Sequence, residues 1–201
     1  MIRAIIFDYG NVISRVDNNL FLKRLSASCE KSIAELHSLI YEDSGLPVQY
    51  ETGLITSDEF YNRISELCLL KMKRPEFIRA FTDIFTPVEE TARLIRKLKA
   101  DYKIALLSNT NEWDFEYEIR KNKSFHLFDS VTLSFMVKEM KPGRKIYLDA
   151  LGKLNLKPEE CVYIDDIREY ADAAAAVGIA AIHYISHEQL LKSLEELDVR
   201  I

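Results

Sequence analysis

Four short apolar runs, each ending abruptly in polar residues, constrain the fold of this 201-residue chain more than any other feature. Residues 5–7 (Ile-Ile-Phe) end in Asp8-Tyr9-Gly10-Asn11, and residues 104–107 end in Ser108-Asn109-Thr110-Asn111. Residues 131–135 are followed by Lys141-Pro142, and residues 161–164 end in Asp165-Asp166. Continuous apolar runs of this length read as strands buried on both faces, as in a parallel sheet. From Leu94 onward, helix and strand alternate. Strands are expected over 103–108, 131–135, 161–165 and 180–184, with helices around Leu94–Ile95–Leu98 and over 112–120, 146–154, 168–177 and 187–197. Such alternation with short connections predicts an α/β fold: a Rossmann-like parallel sheet, right-handed crossovers, and helices on both faces.

The stretch between the first run and this alternating half is different. Leu20, Leu22 and Leu25 begin one helix, and Ile33, Leu36, Leu39 and Ile40 mark a second. Thr56 or Ser57, with Glu59 following, signals an N-cap, after which Phe60, Ile64 and Leu67 recur at helical spacing. Pro75 starts another helix through Phe77, Ile78 and Phe81. No strand is expected between Ser14 and Phe85. The predicted organisation is therefore a core of residues 1–13 and 87–201, with 14–86 a small all-helical cap inserted after the first strand. An insertion there rises from the edge where Asp8 sits.

Composition excludes several classes of function. Hydrophobic residues are 48% and charged residues 29%, a usual globular mixture, and the net charge of -5 offers no basic surface for nucleic acid or an anionic membrane. No segment approaches the roughly 20 apolar residues of a membrane helix. Cys29, Cys68 and Cys161 are scattered, without Cys-x-x-Cys spacing, which argues for reduced thiols. These features predict a soluble, cytoplasmic protein; they leave the oligomeric state open.

Ligand chemistry in open α/β sheets gathers outside the carboxyl ends of the strands. A carboxylate there (Asp8) is available as a nucleophile or a metal ligand. With a hydroxyl–amide pair (Ser108, Asn109), a cation (Lys141) and a carboxylate pair (Asp165, Asp166), it makes the kit for metal-assisted phosphoryl transfer through an aspartyl intermediate. His37, His126, His183 and His187 show no metal-ligand spacing, whereas Asn111 and Trp113 follow the second polar turn and are candidates to face a substrate.

These four motifs, in this order, resemble the haloacid dehalogenase-like hydrolase superfamily over essentially the whole chain. Phe7-Asp8-Tyr9-Gly10-Asn11-Val12 matches its first motif, Ser108 with Asn109 its second, Lys141-Pro142 its third and Asp165-Asp166 its fourth. More narrowly, Phe-Asp-Tyr-Gly-Asn-Val, Leu-Ser-Asn-Thr-Asn, Met-Lys-Pro and the segment from Glu51 to Phe60 look like the branch containing α-D-glucose-1-phosphate phosphatase and the phosphatase domain of soluble epoxide hydrolases. The resemblance implies a Mg²⁺-dependent phosphatase for a small phosphorylated metabolite, a sugar phosphate above all. Asp8 is its nucleophile. Ser108, Asn109 and Lys141 hold the phosphoryl group, and Asp8, the Gly10 carbonyl, Asp165 and Asp166 surround the metal, with Asp166 the better direct ligand. Mg²⁺ and Lys141 are both expected to lower the Asp8 pKa. The cap is implied to act as a lid.

One departure bears on mechanism. Phosphatases of the superfamily usually carry a second Asp two residues after the nucleophile as general acid–base; here that position is Gly10, as it also is in the glucose-1-phosphate phosphatase branch. Another group substitutes (Asp17 or a cap residue), or the substrates have good leaving groups, such as sugar 1-phosphates, or turnover is weak. Lys138 stands where relatives often have Gly, and Tyr170 where near relatives often have Asn. Two rival readings are a metal-free hydrolase at carbon, as in dehalogenation, against which both Asp165 and Asp166 argue, and a binding or regulatory module that has lost turnover at Gly10.

Overall fold

The computed structural model describes residues 1–201. The chain begins with β1 (Ala4–Phe7), β2 (Ser14–Val16), α1 (Asn18–Ser26), α2 (Ile33–His37), α3 (Leu46–Glu51), α4 (Ser57–Cys68) and α5 (Arg74–Thr82). It continues with β3 (Phe85–Pro87), α6 (Glu89–Leu98), β4 (Lys103–Ser108), α7 (Glu112–Tyr117), β5 (Ser130–Leu133), α8 (Ser134–Val137) and α9 (Arg144–Leu154). The last elements are β6 (Cys161–Asp165), α10 (Arg168–Ala176), β7 (Ala180–His183) and α11 (His187–Glu196).

Five strands form one wholly parallel sheet in the order β5-β4-β1-β6-β7. Alternate residues of the central strands point to opposite faces, as the pleat requires. Ile5, Phe7, Ile104, Leu106, Val162 and Ile164 pack with Leu94, Ile95 and Leu98 of α6 and with Leu190 and Leu194 of α11. Ala4, Ile6, Ala105, Leu107 and Tyr163 pack instead with α9, through Ile146, Tyr147, Ala150 and Leu151. Both faces are covered, which is why these strands are apolar throughout rather than alternating. The fold is the Rossmann-like α/β architecture expected, with helical insertions.

Residues between β2 and β3 have an apolar cluster of their own. Phe21, Leu22 and Leu25 of α1 meet Leu36, Tyr50, Phe60, Ile64 and Phe77 there. Trp113 of α7 belongs to this cluster and is 4% exposed, so it packs rather than facing a substrate. Helix starts follow local chemistry. Thr56 caps α4 through a capping box with Glu59, and Ser32 caps α2 through one with Glu35.

Several expected boundaries are corrected. The first segment is not strand-free: β2 and β3 pair antiparallel, with Arg15 opposite Thr86. Strands of three residues are too short to show a period-2 pattern. The strand expected over 131–135 ends at Leu133, and Ser134 opens the single turn α8. The helix expected over 112–120 stops at Tyr117 and passes into a separate 3₁₀ turn. α3 has no counterpart in the sequence pattern; its six residues hold too few apolar positions to reveal a period. No helix is long and apolar enough to cross a membrane.

Candidate active site

β1 lies at the middle of the sheet, between β4 and β6, so the chain leaves it in opposite directions at this point. Crevices form at such reversals, outside the carboxyl ends of the strands. The register makes the consequence specific. Phe7 lies opposite both Leu106 and Ile164, so Asp8 and Asp165 follow level with each other on adjacent strands. Ser108 stands one residue further along β4, so all three reach the same edge of the sheet. Asp8 is held there by its N–H, which donates to the Ile164 carbonyl at 2.9 Å.

Lys141 arrives from the loop between α8 and α9, and its ammonium is buried between two carboxylates. It lies 2.7 Å from Asp8 Oδ1 and 2.7 Å from Asp165 Oδ2. Asn109 fixes the Lys141 backbone from both sides: its Oδ1 accepts from the Lys141 N–H at 2.8 Å, and its Nδ2 donates to the Lys141 carbonyl at 3.2 Å. The Lys141–Pro142 peptide is cis. Tyr170 lays its ring 4.9 Å from the ammonium. Tyr170 thus completes the wall around the cation.

The two acids of the pair after β6 differ in their surroundings. Asp165 is fully buried, and both its oxygens are engaged. Oδ2 accepts from Lys141 and from the Tyr163 hydroxyl, and Oδ1 accepts from the Ile167 N–H at 2.8 Å. Asp166 is half-buried, and only its Oδ2 is engaged by a side chain, the Asn11 amide at 3.0 Å. Carboxylate oxygens of Asp8, Asp165 and Asp166 lie within 4.8 Å of one another. Three carboxylates against one ammonium leave two negative charges uncompensated when all are ionised. Hard oxygen donors with this excess charge suit a divalent cation such as Mg²⁺. The Gly10 carbonyl accepts from the Val12 N–H at 2.7 Å and so keeps one lone pair available.

Lys141 lowers the Asp8 pKa, as expected, but burial acts against it. Burial pushes the Asp8 carboxyl up to about 7, more than Lys141 lowers it, and Asp165 adds to the rise. Burial works against the Lys141 ammonium as well, but Asp8 and Asp165 outweigh it and hold the ammonium above its usual value. Burial likewise raises Asp166, with Asn11 opposing.

These groups open onto a cavity of about 300 Å³. Asp8, Gly10, Ser108, Asn109, Lys141 and Asp166 all line it, while Asp165 lies behind Lys141. The Ser108 hydroxyl donates to the Asn109 carbonyl at 3.2 Å. Residues 21–60 contribute the opposite wall, including Tyr41, Tyr50, Glu51 and Phe60. Asp17 does not line the cavity; it is exposed and caps α1 through the Asn19 N–H. Two acids that do line it carried no assignment from sequence. Burial pushes Glu51 up to about 7 and Asp114 up to about 8. Asp114 accepts from the Asn111 amide at 2.7 Å through Oδ2, and its Oδ1 is buried without a partner. A local signal for Asp114 existed, since Asn111 three residues earlier is an N-cap; for Glu51 there was only its place in the segment before Gly53.

Lys138 answers one of the departures noted above. It adopts the left-handed conformation, with φ of 63°, which explains a preference for Gly at that place. Its ammonium donates to the Gly53 carbonyl at 2.6 Å, joining the helical segment to the sheet domain.

Comparison with known proteins agrees with this architecture. The chain is 28% identical over 195 residues to a phosphorylated carbohydrates phosphatase of Thermotoga maritima, covering 92% of this chain and 85% of that one. It is 27% identical over 175 residues to a D-ribitol-5-phosphate phosphatase of Bacteroides thetaiotaomicron, covering 83% and 84%. Among solved structures, a predicted HAD-like family hydrolase of Porphyromonas gingivalis superposes with a TM-score of 0.82 over 100% of both chains, at 26% identity. A HAD family enzyme of Bacteroides thetaiotaomicron, in complex with magnesium and inorganic phosphate, shares the fold with a TM-score of 0.80 at 24% identity, over 90% of this chain and 93% of that one. The family model for haloacid dehalogenase-like hydrolases matches residues 2–178, the span that carries every motif at the sheet edge. This chain belongs to that family and is a hydrolase.

Proposed function

We propose that the protein is a Mg²⁺-dependent phosphatase that hydrolyses a small phosphorylated metabolite, a sugar or polyol phosphate, through an aspartyl-phosphate formed on Asp8. The observation that carries this reading is the buried Asp8–Lys141 pair at 2.7 Å, facing a cavity beside two further carboxylates. The similarity to a phosphorylated carbohydrates phosphatase and to a D-ribitol-5-phosphate phosphatase supports the substrate class. The narrower kinship with the glucose-1-phosphate phosphatase branch rests on the motif segments alone.

In this reading an Asp8 oxygen attacks phosphorus in line and the alcohol departs on the far side. Lys141 offsets negative charge on Asp8 and on the phosphoryl oxygens, and it needs no reorganisation because Asn109 already clamps its backbone. Ser108 turns its hydroxyl from the Asn109 carbonyl to a phosphoryl oxygen. Asp166, with an oxygen to spare, is the direct metal ligand; Asp165, saturated by three donors, orients Lys141 and its surroundings. Asp8 and the Gly10 carbonyl complete the protein's share of the coordination. When bound, Mg²⁺ supplies charge neutralisation for the nucleophile and the phosphoryl group. We take residues 14–86 as a cap that closes the cavity from water.

The test is hydrolysis of 4-nitrophenyl phosphate by wild type and Asp8→Asn, with Mg²⁺ and with excess chelator. Wild type should turn over only with the metal, and Asp8→Asn should lose turnover while retaining its circular dichroism spectrum. Turnover of the variant within about tenfold of wild type would refute the nucleophile. Full activity in chelator would refute the metal dependence.

A further inference from the structure

Gly10 leaves the leaving-group oxygen without the usual proton donor, and the cavity wall holds one group placed to replace it. Glu51 closes α3 and lines the same cavity as Asp8, on the cap side. In-line attack by Asp8 sends the departing oxygen away from the sheet edge, toward that side. The Glu51 backbone is fixed to the phosphate-side turn. Its carbonyl accepts from Ser134 Oγ at 2.6 Å, and the same hydroxyl accepts from the Thr110 N–H at 2.9 Å, two residues beyond Ser108. Gly53 ties down the other flank. It has a φ of 67°, packs so closely against the Phe135 carbonyl that an added Cβ would clash, and accepts from the Lys138 ammonium through its own carbonyl. Yet the Glu51 carboxyl makes no hydrogen bond or ion pair with any protein group. A half-buried carboxyl on a segment hydrogen-bonded at both flanks, and itself left unpaired, is available to a ligand.

We propose that Glu51 is the general acid–base of the reaction, donating its proton to the departing alkoxide and then taking one from the attacking water. This rests on the phosphatase reading above. In the first step the Asp8–phosphorus bond forms, the phosphorus–oxygen ester bond breaks with its electron pair on oxygen, and the Glu51 proton completes the alcohol. In the second, water attacks phosphorus, the Asp8 carboxylate leaves, and the proton released by water restores Glu51. Phosphate and alcohol are the only products. The charged and titratable groups facing Glu51 are Lys141, Asp8, Asp114, Tyr41 and Tyr170. Burial raises the carboxyl to about 7 despite Lys141, so a protonated fraction exists near neutrality.

The experiment is single-turnover phosphorylation with substituted phenyl phosphates of graded leaving-group acidity, plus propyl phosphate, which carries no hydroxyl. Wild type should show a shallow dependence on the pKa of the departing alcohol. Glu51→Gln should show a steep one, its loss growing from within about tenfold for 4-nitrophenyl phosphate to about 10²–10⁴-fold for propyl phosphate. A steep dependence already in wild type overturns the proposal, and this readout holds even if the variant folds poorly. A uniform loss across the series in a folded Glu51→Gln also overturns it, because that is the mark of a positioning role. A wild type inert toward 4-nitrophenyl phosphate with Mg²⁺ refutes the phosphatase reading itself.

Discussion

Lys141→Met tests the charge balance of the site in a way that does not depend on turnover. The ammonium is 2.7 Å from Asp8 and 2.7 Å from Asp165, and its side chain is 1% exposed. Methionine fills similar space but leaves two buried carboxylates facing each other. The least costly response is for the pair to take up one more proton. A carboxyl of ordinary pKa 3.8 costs about 1.4 kcal/mol to protonate for each pH unit above that value. The loss of stability should therefore be about 4 kcal/mol at pH 7 and only about 1.6 kcal/mol at pH 5. The first figure agrees with the roughly 3–5 kcal/mol expected on breaking a buried pair. It corresponds to a Tm lower by about 8–16 °C for a chain of this size. Wild type has its own slope: Asp8, raised from 3.8 to about 7, contributes stability present below about pH 4 and lost as pH rises through 7. The variant's decline should be steeper by about 1.4 kcal/mol per pH unit between pH 5 and 7. Urea denaturation in chelator at several pH values measures this directly. A difference between variant and wild type that is independent of pH, or smaller than about 1 kcal/mol at pH 7, would refute the claim that Lys141 offsets the buried negative charge of this pair.

Two further outcomes follow from the geometry. Mg²⁺ should raise the Tm of the wild-type protein near neutral pH, and Asp166→Ala should weaken that response more than Asp165→Ala; a titration followed by thermal melting decides the order, and the reverse order would assign direct ligation to Asp165. Gly53→Ala should lower stability by about 2–3 kcal/mol, since an added Cβ would clash with the Phe135 carbonyl oxygen at a φ of 67°. A neutral effect in denaturant melts would show that the segment carrying Glu51 can move.

How much of this was legible in the sequence depends on the range of the physics involved. Each strand of the parallel sheet announces itself as a local apolar run, because both faces of the sheet are covered and every side chain of the run must be buried. Asp8, Ser108, Lys141 and Asp166 stand at the ends of such runs or just beyond them, so their shared edge could be inferred from strand order. Caps at Thr56 and Ser32 are equally local. β2, β3 and α3 were not legible, since three to six residues carry no period and their formation depends on partners distant in sequence. The same holds for the finer chemistry. Asp165 and Asp166 are adjacent identical residues, and only the fold makes one a saturated, buried neighbour of Lys141 and leaves the other with an oxygen free. Lys141 lowers the Asp8 pKa, as its place in the sequence implies; burial, a property of the assembled fold with no local code, raises it by more than one ammonium restores. Glu51 lines the cavity on a segment that Ser134 and Lys138, distant in sequence, bind by hydrogen bonds. Which residue types line the edge of the sheet is written in the chain; which of them are desolvated, paired or left free is decided by tertiary packing, because dielectric environment and hydrogen-bond saturation have no local sequence code.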